Sequence, residues 1–154
     1  MLQIITNPNP ILRKKSLKIK EKEILSDEIQ ALIPEMVETM LKKDGVGLAG
    51  PQVGKNIRII AIRHKNGNLV IFNPQIKKRS FSKEWGEEGC LSVPGKFGNV
   101  KRNKKVTLSY LNEKAENKVM EAEGLLARII QHEIDHLDGI LFIDKAKEIS
   151  EFKT

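Results

Sequence analysis

The sequence predicts an α+β domain in which antiparallel sheets wrap around one buried helix. Three observations predict it. An amphipathic stripe marks a helix in the first third of the chain. Two pairs of short β-prone runs are joined by turn signals. A late apolar stretch, residues 125–143, reads as a buried helix and carries the run His132-Glu133-Ile134-Asp135-His136. The 154 residues are enough for a single domain, 1–154, with one proper core, and neither a repeat nor a linker divides them.

In chain order, Ile29, Leu32, Ile33, Met36, Val37, Met40 and Leu41 recur at helical spacing. Asp27 is the expected cap, and Gly45 lies just beyond the expected end. Pro34 falls inside the stripe and should kink the helix or restrict it to the residues that follow. The methionines read as core filler. Residues 58–63 and 69–72 then flank Lys65-Asn66-Gly67-Asn68, a hairpin signal. Residues 106–111 and 118–123 flank a second expected hairpin loop. Gly124 opens the motif helix. Strands followed by a buried helix define the fold class.

Charge and composition narrow the setting. Lys and Arg number 27 against 20 Asp and Glu, a net charge of +7. Basic clusters occur at Arg13-Lys14-Lys15, Lys77-Lys78-Arg79 and Lys101-Arg102-Asn103-Lys104-Lys105. None is interleaved with aromatic residues, so DNA or other sequence-specific nucleic-acid recognition is not expected, and a solvated surface accounts for them equally well. The N-terminus lacks the basic, apolar and cleavage-site succession of a signal peptide, and the apolar runs are too short or interrupted to cross a bilayer. One cysteine, Cys90, cannot form an internal disulfide. A reducing, cytoplasmic setting is therefore expected.

The chemistry concentrates in three segments. Residues four apart share one face of a helix, so His132 and His136 can offer two imidazole nitrogens to one metal ion. Glu133 sits at the shoulder of that face, where a carboxylate can take a proton from water held by the ion. The third ligand of a common metalloprotease pattern is missing: Gly139 is in place, but the final ligand position is Phe142. Glu148 and Glu151 follow in a short tail. This argues against an ordinary zinc protease.

Cys90 lies in Glu87-Glu88-Gly89-Cys90-Leu91-Ser92-Val93-Pro94, followed by Gly95. A lone cysteine is usually a small buried hydrophobe, but the glycines and proline around this one suit a backbone held in a special shape. A thiolate with two imidazoles makes a three-ligand site with one position left open. The third segment, Gly45-Val46-Gly47-Leu48-Ala49-Gly50-Pro51-Gln52, suits a close backbone approach. It lacks phosphate-loop spacing, and Gln52 is its only long hydrogen-bonding side chain. Alone, it reads as a tight turn.

Taken together and in this order, Gly-x-Gly-Leu-Ala-x-x-Gln, Glu-Gly-Cys-Leu-Ser and His-Glu-x-Asp-His resemble the peptide deformylase family. The resemblance runs from Asn7-Pro8-Asn9-Pro10-Ile11-Leu12-Arg13 to Gly139-Ile140-Leu141-Phe142. It implies hydrolysis of the formyl group from the N-terminal formyl-methionine of new polypeptides, with release of formate. It also implies that Cys90, His132 and His136 hold the metal, that Glu133 is the general acid/base, and that Gln52 and the backbone N–H of Leu91 stabilise the oxyanion. The implied ion is ferrous iron in the cell, with zinc or nickel as substitutes; the ligand set is compatible with each. The family's task would give the basic surface a partner in the ribosome.

By position, Val46, Leu91, Ile129 and Ile130 could line an apolar pocket for the methionine side chain, or equally be core. Gly47 is expected to offer backbone groups to a peptide lying like an added strand. Glu88 is expected to pair with Arg102 and brace the Cys90 segment. Four features depart from the family pattern. Gly50 replaces a common alanine and should loosen the turn. Phe97 stands where some relatives place a basic residue. Arg128 intrudes on the apolar approach to His132 and could narrow or charge the pocket rim. The chain stops about a dozen residues after Phe142, where many bacterial relatives continue in a longer helix.

Overall fold

In the computed structural model, which describes residues 1–152, the first long element is the helix α2 (Asp27–Lys42), preceded by the single turn α1 (Glu21–Ile24). Ser26, not Asp27, caps α2: its hydroxyl accepts from the Ile29 N–H at 3.3 Å, and Asp27 falls in the first turn. The helix runs through Pro34 and is not confined to the residues after it. Leu32, Met36 and Met40 pack on both sides of the proline, and this tertiary burial outweighs the local penalty. Lys153 and Thr154, included in the expected domain, lie outside the described residues.

The strands are β1 (Gly47–Ala49), β2 (Ile59–Ile62), β3 (Leu69–Arg79), β4 (Lys83–Cys90), β5 (Val93–Asn103), β6 (Lys105–Leu111), β7 (Asn117–Glu123) and β8 (Lys147–Glu151). They form an antiparallel five-stranded sheet of order β1-β2-β3-β6-β7 and an antiparallel three-stranded sheet of order β4-β5-β8. Both expected hairpins are present, with Ile62 opposite Leu69 and Leu111 opposite Asn117. The pair β4–β5 and the strand β8 had no sequence signal, because their residues are rich in charge and glycine. The tail after residue 146, where relatives were expected to continue in a helix, here adds β8 to the edge of β5.

The motif helix, α3 (Gly124–Leu137), lies between the sheets and ends six residues before the expected boundary at Ile143. Gly139 stops it: φ is +76°, and a Cβ there would meet the Arg13 carbonyl. Leu125, expected to be buried, is 70% exposed. Alternation along β2 explains the layering. Ile60 and Ile62 pack with Ala127, Ile130, Ile134 and Leu137 of α3, whereas Ile59 and Ala61 pack with Leu32, Met36 and Met40 of α2. A third cluster, Leu12, Val93, Val100, Leu141 and Phe142, joins the second sheet to the segment after α3. Among the described residues no helix is long and apolar enough to cross a membrane.

Candidate metal centre and substrate pocket

Three elements deliver the site. His132 and His136 come from the C-terminal half of α3, Cys90 from the last position of β4, and Gln52 from a short 3-10 turn, Gly50–Val53. The β4–β5 hairpin turns on Leu91 and Ser92, with Cys90 opposite Val93, and that turn points the thiol at the helix. The ligand atoms of Cys90, His132 and His136 all lie within 4.8 Å of one another, and Cys90 Sγ is 3.2 Å from His136 Nε2. One sulfur and two imidazole nitrogens at this spacing form a divalent-metal site. Phe142, in the place of a third histidine, is instead a buried ring stacked on His132 with centroids 6.1 Å apart.

Surrounding groups orient the ligands. His132 Nδ1 lies 2.8 Å from Glu88 Oε1, so the carboxylate accepts the Nδ1 proton and Nε2 is left for the ion. Glu88 also pairs with Arg102, as expected, through Nη2 at 2.9 Å and Nε at 3.0 Å. Burial alone would raise the Glu88 pKa. Hydrogen bonds from His132 and Arg102 reverse this and hold it far below the usual carboxylate range. Arg102 reaches on to Asp135 at 2.6 Å, and Lys145 meets the same carboxylate at 2.9 Å. Asp135 was therefore a supporting residue hidden in plain view inside the motif.

Protonation fits the donor set. Burial, reinforced by His132 and Arg102, lowers the His136 pKa well below its ordinary value and leaves the neutral imidazole that ligation requires. Burial lowers His132 as well, but Cys90 and Glu88 outweigh it and raise the group to about 10, so a cation competes with a proton there. Glu133 is buried, and burial is the main cause that pushes its pKa up to about 7. Its Oε1 is a buried acceptor without a partner among the described residues, beside the three ligands.

Gln52 is 1% exposed and held in one orientation. Its Oε1 accepts from the Ala49 N–H at 2.9 Å, and its Nε2 donates to Ser92 Oγ at 3.1 Å while lying 3.5 Å from Cys90 Sγ. Ser92 in turn donates to the Ile5 carbonyl at 2.7 Å. The role of Ser92 was missed, since a serine in a turn carries no sequence signal of its own. Gly50 tightens the turn and does not loosen it: a Cβ there would lie 2.6 Å from the Ile57 carbonyl oxygen and 2.8 Å from that of Lys55.

A cavity of about 480 Å³ opens beside the ligands. Val46, Gly47, Leu91 and Ile129 line it together with Gln52, Cys90, His132 and Glu133. Ile130, the other pocket candidate, is wholly buried between α3 and the five-stranded sheet, because it falls on the opposite face of the helix. Phe97 lines the cavity and packs edge-on against Phe152, with centroids 5.5 Å apart. Arg128 lines it too, but does not present a free charge at the rim. Its guanidinium bonds Glu88 Oε2 at 2.7 Å and the Val100 and Glu84 carbonyls at 2.9 Å each.

An H-E-x-x-H helix, a strand-borne thiolate and a cavity facing them define a metal-dependent hydrolase. Comparison with known proteins sharpens that class. The polypeptide deformylase family model matches residues 1–152. A peptide deformylase of Natranaerobius thermophilus is 44% identical over 148 residues, covering 96% of this chain and 93% of that protein. The crystal structure of peptide deformylase from Thermotoga maritima superposes with a TM-score of 0.91 at 38% identity, covering 96% of this chain and 98% of that one. A peptide deformylase from Acinetobacter baumannii with Met-Ala-Ser bound gives a TM-score of 0.89 at 35% identity, covering 94% and 98%. The chain belongs to the polypeptide deformylase family.

Proposed function

We infer that this chain hydrolyses the formamide of N-terminal formyl-methionine on newly made polypeptides and releases formate. The observation that carries this reading is the convergence of Cys90, His132 and His136 with the unpartnered Glu133 carboxylate at the wall of one cavity. A divalent ion held by the three ligands supplies Lewis-acid activation of water and of the formyl oxygen. Family membership implies ferrous iron in the cell; a thiolate and two imidazoles suit zinc and nickel as well, so either could substitute.

The chain's own residues divide the remaining steps. Glu133 takes a proton from the attacking water and passes it to the leaving nitrogen, so the C–N bond breaks to formate and a free amine. Gln52 Nε2 and the Leu91 N–H hold the oxygen that gains negative charge; such a donor is worth about a hundred- to a thousandfold in rate. Support for Gln52 comes from its Oε1, whose bond to Ala49 leaves the donor end facing the sulfur. Val46, Gly47 and Ile129 bind the substrate. Gly47 lies on β1, an edge strand of its sheet, which favours a peptide that adds as a further strand. Met-Ala-Ser, held by the Acinetobacter relative, is the peptide that deformylation of formyl-Met-Ala-Ser would leave.

We further propose that residues 1–154 act as one catalytic domain in the cytoplasm, and that the net charge of +7 attracts the chain to ribosomes where its substrates emerge. The test is formate release from formyl-Met-Ala-Ser by protein prepared without oxygen and loaded with ferrous iron, beside Glu133→Gln and Cys90→Ser. Release by the wild type and loss in both variants is the expected result. Folded, metal-loaded wild type that releases no formate would overturn the reading.

A further inference from the structure

We propose that Arg128 is a positioning residue for the metal ligand His132, acting through Glu88 from the wall of the substrate pocket, in space that Gly86 leaves open. Arg128 and His132 stand one turn apart on the same face of α3 and bind the two oxygens of one carboxylate. Arg128 Nη1 takes Glu88 Oε2 at 2.7 Å, and His132 Nδ1 takes Oε1 at 2.8 Å. Arg102 reaches both oxygens as well, but from β5. Apart from the ligand His132 itself, Arg128 is the α3 residue that bonds Glu88 directly among the described residues; Arg102 reaches the same helix through Asp135. Its remaining bonds, to Glu84 on β4 and Val100 on β5, hold that helix against the strand ending in Cys90. The Arg128 guanidinium, whose side chain is 11% exposed, thus bridges the two halves of the ligand set directly, alongside the Arg102 link from Glu88 to Asp135.

Gly86 makes the arrangement possible. It lies on the inward face of β4, two residues before Glu88. A Cβ on Gly86 would lie 2.8 Å from Arg128 Cζ and 2.9 Å from both Nε and Nη2. The Gly86 backbone is not in the left-handed region, so an alanine is admitted there and displaces only the flexible end of Arg128. Gly86→Ala therefore moves the guanidinium without removing its charge.

This inference rests on the metal-dependent reading above but is tested apart from turnover. Full-length wild type, Arg128→Met, Arg128→Lys and Gly86→Ala would be titrated with Co²⁺ against a competing chelator, following the thiolate charge-transfer and d–d bands. Kinetics with formyl-Met-Ala-Ser would follow. Loss of an outer partner of a ligating histidine typically weakens metal binding about 10–100-fold. We expect a loss of that size in Arg128→Met and Gly86→Ala, shifted d–d bands, and kcat falling more than KM rises. Arg128→Lys should recover part of the affinity through a single bond to Glu88. Should Arg128→Met fail to fold, Gly86→Ala decides the matter. Cobalt affinity within twofold of wild type and unshifted bands, with only KM altered, would make Arg128 a pocket wall and overturn the proposal. A wild type that shows the cobalt bands but releases no formate counts against the deformylase reading and leaves the positioning result standing.

Discussion

Gly47 on β1 is the contact that makes room for Glu133: a Cβ there would lie 2.5 Å from Glu133 Oε2 and 2.8 Å from its Cδ. The strand backbone passes so close to the helix that hydrogen is the only substituent it admits. Gly47→Ala should therefore push the carboxylate out of place while leaving the three ligands untouched. We expect formate release to fall about a hundredfold or more, in line with the loss of a positioned acid/base. Metal content should stay at one ion per chain. Near-normal kcat with full metal content would rule out the placement of Glu133 by this contact.

Gln52 is held at both ends of its amide, so the two ends can be separated by mutation. Gln52→Glu keeps an acceptor for the Ala49 N–H but replaces the donor that lies near the Cys90 sulfur. Its kcat should drop about a hundred- to a thousandfold, with KM little changed. Ser92→Ala removes the Nε2 acceptor and the bond to the Ile5 carbonyl but keeps the Gln52 donor, and should cost less. Equal losses in the two variants would assign the effect to packing and not to a donor.

Acid should unfold the protein through Glu88. Burial opposes ionisation of this group, yet its hydrogen bonds to His132 and Arg102 depress the folded-state pKa far below the ordinary 4.5. The unfolded chain then binds more protons between the two values, so the contribution is complete above about pH 4.5 and fades as pH falls toward the folded value. Urea midpoints from pH 7 to pH 3 should fall more steeply for the wild type than for Glu88→Gln. At pH 7 the variant should be less stable by about 3–5 kcal/mol, since it leaves buried cations underpaired. Parallel pH profiles would exclude Glu88 as the responsible carboxylate.

Metal removal should lower stability as well as abolish turnover. An ion that binds only the folded chain adds about 2.7 kcal/mol when present at a hundred times its Kd. Chelator-treated protein should therefore melt earlier, and Ni²⁺ or Zn²⁺ should restore the Tm in the wild type but not in Cys90→Ser. Because the ion competes with a proton at His132, affinity should weaken as pH falls. Calorimetric scans with and without metal at several pH values would show whether it does.

Some of this was legible without coordinates, for physical reasons. Helical spacing alone places His132 and His136 on one face, and the apolar pattern around them requires burial. The Asn66-Gly67 turn dictates one hairpin, and the core role of Met36 and Met40 follows from period. These are short-range facts, contained within a dozen neighbouring residues.

What the tertiary structure decided is long-range or cooperative. Cys90 joins histidines 42 and 46 positions away only because β4 and β5 pair at a register the charged, glycine-rich sequence does not announce. Arg128, which from sequence disturbs an apolar helix, becomes a brace because Gly86 and Glu88 face it from another strand. Pro34 stays within a helix because burial on both sides of it outweighs its local cost. By itself, then, the sequence determined the types of the periodic elements, the ligand-bearing helix and the chemistry of its donors, since periodicity and residue type are local. Only the folded chain decided which distant groups meet them, because register, close backbone approach and shared carboxylate oxygens depend on all the packed elements at once.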